Sequence, residues 1–195
     1  MATIRPLRAL RPRGDLGEKI AALPYDVMNT DEARKMAAGN PYSFLHIDRS
    51  EIDLPPDTDP YDDKVYEKAR DNLRRFEEKG WLFQDSVPCL YIYRLVLDGR
   101  AQTGVAAAVS VDEYESGIIK KHEKTRADKE EDRIKHVDIT DAHTGPIFMA
   151  YRHSPEISAI VENFMKKNEP VYDFTTSDGV GHTVWKIDDP SAVGA

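Results

Sequence analysis

Residues 90–111 read LYIYRLVLDGRAQTGVAAAVSV. Leu90 to Leu97 has the apolar, aromatic-rich composition of a strand, and Asp98-Gly99 is the dipeptide of a tight hairpin turn. Arg100 to Val111 is then the returning strand, and the alanines at 106–108 leave room for a helix to pack closely on it. The chain closes on a second hairpin, Val171 to Thr176 against Val180 to Ile187, with Asp178-Gly179 at its turn. Hairpins separated by helical periodicity make the expected class α+β, with helices packed on a mixed or mostly antiparallel sheet.

Outward from the first hairpin, Pro60 to Lys79 is the clearest helix. Asp59 caps it, Pro60 opens it, and Tyr66, Ala69, Leu73 and Phe76 repeat at three- and four-residue spacing before Gly80 ends it. This spacing predicts a buried stripe and carries no chemistry. Thr30 reads as the cap of a helix with Asp31 and Glu32 in its first turn and Gly39 as its stop. Ser154 caps another that begins at Pro155 and turns Ile157, Ile160, Val161 and Phe164 inward, and Leu16 to Ala22 is a short one. Three more strands are expected: in MATIRPLRALRPRG, from Tyr42 to Ile47, and from Ile147 to Arg152. Leu23 to Val27 is rigid because of Pro24, with Asp26 a capping or ligand-facing carboxylate. Asp48 to Pro60 is a surface loop, and Glu113 to Gly117 a linker. The 195 residues suit a single domain, or the N-terminal fragment of a longer protein, helix-rich to about residue 88 and sheet-forming over about 89–195.

A hydrophobic content of 40% supplies a core, while 32% charged residues and a mean hydropathy of -0.59 describe a water-soluble surface. No apolar run approaches the roughly 20 residues that span a bilayer, and the N-terminus lacks the apolar block of a secretory signal. The expected location is cytoplasmic, with no membrane partner. A net charge of -8 argues against nucleic acid, whose phosphates need a basic surface. The single cysteine, Cys89, excludes an internal disulfide and a cysteine-based zinc site, and reads as a buried, inert thiol.

The chemistry-bearing stretch is GIIKKHEKTRADKEEDRIKHVDITDAHTGP, residues 117–146. Lys120, Lys121, His122, Glu123, Thr125 and Arg126 form a polar knot after two isoleucines, and a charged helix with Asp132, Arg133 and His136 follows. A strand end beside a helix N-terminus, the arrangement this order predicts, suits anions. The plainer alternative is a solvated helix face. His122-Glu123 opens like a zinc-protease helix, but Arg126 stands where the second histidine would be. His122, His136 and His143 match no zinc spacing. Neither phosphate-binding glycine motif is present, nor is the serine-hydrolase elbow. Zinc, haem and flavin are not expected.

Six stretches, LPYDV (23–27), AAGNPYSFLHI (37–47), YEKARDNL (66–73), QTG (102–104), IIKKHEKTRADKEEDR (118–133) and TGPIF (144–148), stand in an order that resembles the N-terminal half of the bacterial family catalogued as domain of unknown function 1015. Members of that family resemble, in their later part, the ParB/sulfiredoxin-like group, which includes free-serine kinases. The resemblance implies an ATP-dependent kinase of free serine or a similar small hydroxy-metabolite, with ATP and Mg2+ as cofactors. Glu123 would be the catalytic base. His122 and Thr125 would orient substrate or a phosphate oxygen, and Lys120, Lys121, Arg126, Lys129 and Arg133 would supply positive charge. Asp132 would anchor Arg133 or help hold magnesium. A D-G-H-H-R box normally follows in the family, shortly beyond this sequence, and here the Asp-Gly pairs lead into Arg100 and Val180 instead. The chain alone is therefore expected to be inactive and to need the missing C-terminal half of the same protein as its partner. The alternatives are a non-catalytic nucleotide-binding or regulatory module and a structural interaction domain.

Overall fold

A computed structural model describes residues 2–122 and 124–189. In chain order its elements are β1 (Ile4–Arg5), β2 (Leu10–Pro12), α1 (Gly17–Ile20), α2 (Thr30–Ala37), α3 (Leu45–Asp48), α4 (Asp63–Glu78), β3 (Leu82–Gln84), β4 (Leu90–Leu97), β5 (Arg100–Ala106), β6 (Ala108–Val109), α5 (Val111–Glu115), α6 (Ala127–Thr140), α7 (Pro155–Lys167), β7 (Tyr172–Thr175) and β8 (Gly181–Ile187). The pairings β1–β6, β4–β5, β4–β8 and β7–β8 are all antiparallel, and the class is α+β. The chain forms two compact units. A sheet unit takes Met1–Gly14, Gln84–His122 and Ile147–Ala195, and a helical unit takes Asp15–Phe83 and Glu123–Pro146.

In the sheet unit four strands run in the order β5-β4-β8-β7. The Asp98-Gly99 turn has positive φ at both residues, 50° and 76°, which gives the twist that joins β4 to β5. Tyr93 lies opposite Gly104 on one side and Val184 on the other. Leu90, Ile92, Trp185 and Ile187 form the core of one sheet face, against which Val105, Ala107 and, from α7, Val161, Phe164 and Met165 pack. The small alanine at 107 lets the helix approach, as the sequence suggests. Ile160 is 47% exposed, outside the inward stripe expected of it, because the core is met by its neighbours one turn on. Asp85 is buried and accepts from Arg11 Nε and Nη2 and from Tyr91 Oη.

The helical unit is organised on α4. α3 and α6 both pack on it, and Val65, Tyr66, Ala69, Asn72, Leu73 and Phe76 are its buried side chains. A second apolar group joins Met28, Ala33, Ala37, Leu45 and Ile52. The cap of α2 is Asn29, with Glu32 closing a reciprocal capping box, so Thr30 is the first helical residue and not the cap. Asp62 caps α4, while Asp59, the expected cap, accepts from Tyr61 N in the preceding turn.

Other expectations fail for local reasons. Tyr42 to Ile47 is not a strand: Asn40 Oδ1 accepts from Tyr42 N, and Ser43 accepts from Leu45 N and His46 N, so side chains and turns take the amides a ladder would need. The loop from Asp48 contains a 3-10 turn, Ser50–Asp53, with Ser50, Glu51 and Ile52 buried. Glu51 is held there by Arg49, whose guanidinium also donates to the carbonyls of Tyr25 and Met28. Glu113 belongs to α5, capped by Ser110, and receives both the amide and hydroxyl of Thr3. The N-terminal strand is split into β1 and β2. Ile118 and Ile119 form no strand, and neither does Ile147 to Arg152, where Ile147 and Phe148 are 86% and 78% exposed.

Candidate functional site

The side chains that α6 buries are Asp132, His136 and Thr140, whereas Ile134 is 55% exposed. These three share one face by their four-residue spacing. A surface helix ordinarily buries its apolar stripe. Here the inward face is polar, so each of its groups needs a partner from the elements around it.

Those partners come from three other segments. Tyr66 Oη, from α4, donates to Asp132 Oδ1 at 2.8 Å. Arg133 donates to Asp132 Oδ2 from Nε at 3.1 Å and forms the ion pair through Nη2 at 3.0 Å. The guanidinium carbon of Arg133 stands 4.0 Å from the ring centre of Tyr25, a close cation–π stack. His136 Nε2 lies 3.2 Å from the carbonyl oxygen of Ile47. A carbonyl only accepts, so Nε2 carries the hydrogen and Nδ1 of the neutral ring keeps its lone pair. Thr140 Oγ1 donates back to the His136 carbonyl at 2.6 Å. Towards the start of α6, Lys129 Nζ donates to Tyr61 Oη at 3.1 Å. Lys135 pairs with Asp63 and lies over the Tyr66 ring at 4.7 Å.

Burial sets the electrostatics. It raises the Tyr66 phenol, and the hydrogen bond to Asp132 adds to the rise. It lowers His136 towards the neutral imidazole and raises the carboxyl of Asp48 at the end of α3. The hydrogen bond to Tyr61 holds Lys129 above its ordinary value.

The residues singled out in the sequence divide between the units. Lys120, Lys121 and His122 belong to the sheet unit and are exposed, with Lys121 Nζ 4.7 Å from the Tyr114 ring centre. Glu123 lies outside the described residues. Thr125 and Arg126 are exposed members of the helical unit, and Arg126 pairs with Asp128 at 2.7 Å. An exposed pair of that kind stabilises by less than about 1 kcal/mol. Lys129, Asp132 and Arg133 share the α6 site. Among the described residues no strand runs into α6, so the polar knot is not at a strand's end as its order in the sequence predicts.

Sequence reasoning assigns α4 no chemistry and leaves Tyr25, Asp48 and Tyr61 out of the site. Tyr66 reads there only as part of the apolar stripe, yet its ring is buried and its hydroxyl serves Asp132. Tyr66→Phe should therefore lower stability by about 1.5–3 kcal/mol, the usual range for a hydrogen bond to a charged group. A urea titration that finds less than about 0.5 kcal/mol would remove Tyr66 from the site's framework. The available signal was the resemblance: LPYDV supplies Tyr25, AAGNPYSFLHI the Ile47 carbonyl, YEKARDNL Tyr66, and the charged stretch α6 itself. Four separated stretches thus meet on one helix face.

A family model described as "Protein of unknown function (DUF1015)" matches residues 4–195. No curated protein and no solved structure matches the chain.

Proposed function

Since the chain belongs to the DUF1015 family, whose function is unknown, its activity has to be read from the α6 site, and we propose that it acts on a small hydroxy-metabolite such as free serine as an ATP-dependent kinase. The observation that carries this reading is the inward, ionisable face of α6, with Arg133 and Lys129 beside tyrosine rings. A guanidinium stacked on an aromatic ring is oriented before an anion arrives, which suits phosphate or carboxylate recognition. In the transfer, the acceptor's hydroxyl oxygen would attack the γ-phosphorus, the bond to the bridging oxygen would break, and ADP would leave. The hydroxyl proton would pass to a carboxylate base, for which Glu123 is the candidate by resemblance. Cations at Arg133 and Lys129 would offset charge on the phosphoryl oxygens.

Magnesium fits this site poorly. Both oxygens of Asp132 are engaged, one by Tyr66 and one by Arg133. Among the described residues no group of three His, Cys, Asp or Glu side chains is placed to hold a metal ion. That favours one second reading, a module that binds nucleotide without consuming it.

Mass-spectrometric detection of phosphoserine from ATP, Mg2+ and free serine separates the two. The 195-residue chain is assayed beside any longer product of the same gene, with a thermal melt in ATP as companion. Phosphoserine formation supports the kinase. Stabilisation by ATP with no product from either protein supports the binding module. A melt unmoved by ATP and by serine would sink both and leave a structural domain.

A further inference from the structure

One group in the α6 site is not satisfied by its own neighbours. Asp48 Oδ1 is shut off from solvent and has no hydrogen-bond partner among the described residues. A buried acceptor without a donor is destabilising, and such atoms are rare in folded proteins. The elements around it are specific about what they bring. From α6, the Arg133 guanidinium acts on the Asp48 carboxyl by charge, and the Thr144 hydroxyl, from the segment after α6, is within hydrogen-bonding reach of the same carboxyl. His136 spends its one N–H on the Ile47 carbonyl, so its neutral ring has only an acceptor left. Asp48 Oδ1 is therefore an acceptor awaiting a donor. Arg133, 30% exposed, directs Nε and Nη2 at Asp132 and keeps Nη1 outside that ion pair.

We propose that Asp48 is the specificity residue of this site, its Oδ1 receiving the hydroxyl or ammonium group of a small metabolite whose acid group pairs with Arg133. The arrangement selects a molecule that carries a donor and an acid a few bonds apart, a hydroxy acid or an amino acid. A neutral polyol offers no charge to Arg133, and a simple carboxylate offers no donor to Asp48. The proposal rests on the reading of the α6 face as a small-metabolite site. It does not require phosphoryl transfer.

Isothermal titration calorimetry without nucleotide tests it, using L-serine, glycerate, ethanolamine, glycerol and acetate as probes. L-Serine or glycerate should bind at least about tenfold more tightly than the other three, the discrimination of one hydrogen bond or ion pair. Asp48→Asn, which keeps the shape but exchanges one acceptor oxygen for a donor, should weaken the favoured probe by about tenfold or more. Asp48→Ser serves if the asparagine variant does not fold, folding being judged by near-ultraviolet circular dichroism. Unchanged affinity in a folded variant overturns the proposal, as does a wild-type chain that binds none of the five. A variant that melts higher with unchanged affinity would make Asp48 a structural, protonated carboxyl only. Failure to form phosphoserine leaves this result untouched, so the two readings fail separately.

Discussion

Phe76→Ala lowers the unfolding free energy of the helical unit by about 3–5 kcal/mol, the range for removing a large aromatic from a packed core. Phe76 is fully buried on α4, and its ring meets Trp81 edge-on, with centroids 5.0 Å apart and planes at 78°. Trp81 in turn lies 4.6 Å from Tyr42. Alanine removes one end of that row of aromatic contacts and leaves a cavity that rigid helical backbone cannot close. The loss is read in a urea titration followed by tryptophan fluorescence. Trp81 belongs to the helical unit and Trp185 to the sheet unit, so variants retaining one tryptophan each report the units separately. A shift below about 1 kcal/mol would mean that Phe76 does not hold the position described.

Asp85→Ala has a large effect in the sheet unit, about 3 kcal/mol, the low end for a buried pair, because it strips a partly buried guanidinium of its main counter-charge. Arg11 reaches the two oxygens of Asp85 from Nε and Nη2 at 2.7 and 2.9 Å, and Tyr91 Oη donates at 2.6 Å. Lys186 adds a longer ion pair at 3.7 Å. Burial alone would raise the Asp85 carboxyl, but the hydrogen bonds from Arg11 and Tyr91 and the charges of Arg11 and Lys186 outweigh it and hold it below the ordinary carboxylate range. The sign follows. Stability from this group is fully present above the unfolded value, near pH 4, and is lost as pH falls through the lower folded value. Wild-type protein should lose stability as pH falls below about 4 in a way that Asp85→Ala does not, and matched acid titrations of the pair decide it. Parallel curves would place the acid sensitivity elsewhere.

The hairpins were legible because their signals are local. Leu90 to Leu97, Asp98-Gly99 and the Val180–Ile187 return carry strand and turn chemistry within a few residues of one another, and pairing needs nothing else to be set correctly. The α7 start was legible for the same reason, Ser154 and Pro155 being adjacent. Tyr42 to Ile47 misleads because its apolar alternation is real, while the choice between ladder and helical turn is made by Asn40 and Ser43 side chains. Ile147 to Phe148 misleads more simply: strand-like composition does not supply a neighbouring strand.

The site was half legible. Asp132 and Arg133 are visible as a charged pair in any reading of residues 117–146. That the pair is turned inward is decided by a tyrosine on α4 and a backbone carbonyl after Leu45, neither of which any spacing within α6 announces. Asp48 was invisible for a related reason. Nothing in a row of acidic residues distinguishes the one whose oxygen the fold encloses.

The strand order of the sheet unit also sets when it can exist. β4, one of the two inner strands, is flanked by β5, its immediate successor, and by β8, which is made only after the whole of α6 and α7. During synthesis the first hairpin therefore waits with one edge open, and the contacts that close it span a long loop, the topology associated with slow folding. The helical unit is complete once residue 146 has emerged. Nascent chains should accordingly acquire protease resistance in the helical unit first, with the open β4 edge the segment most in need of a chaperone.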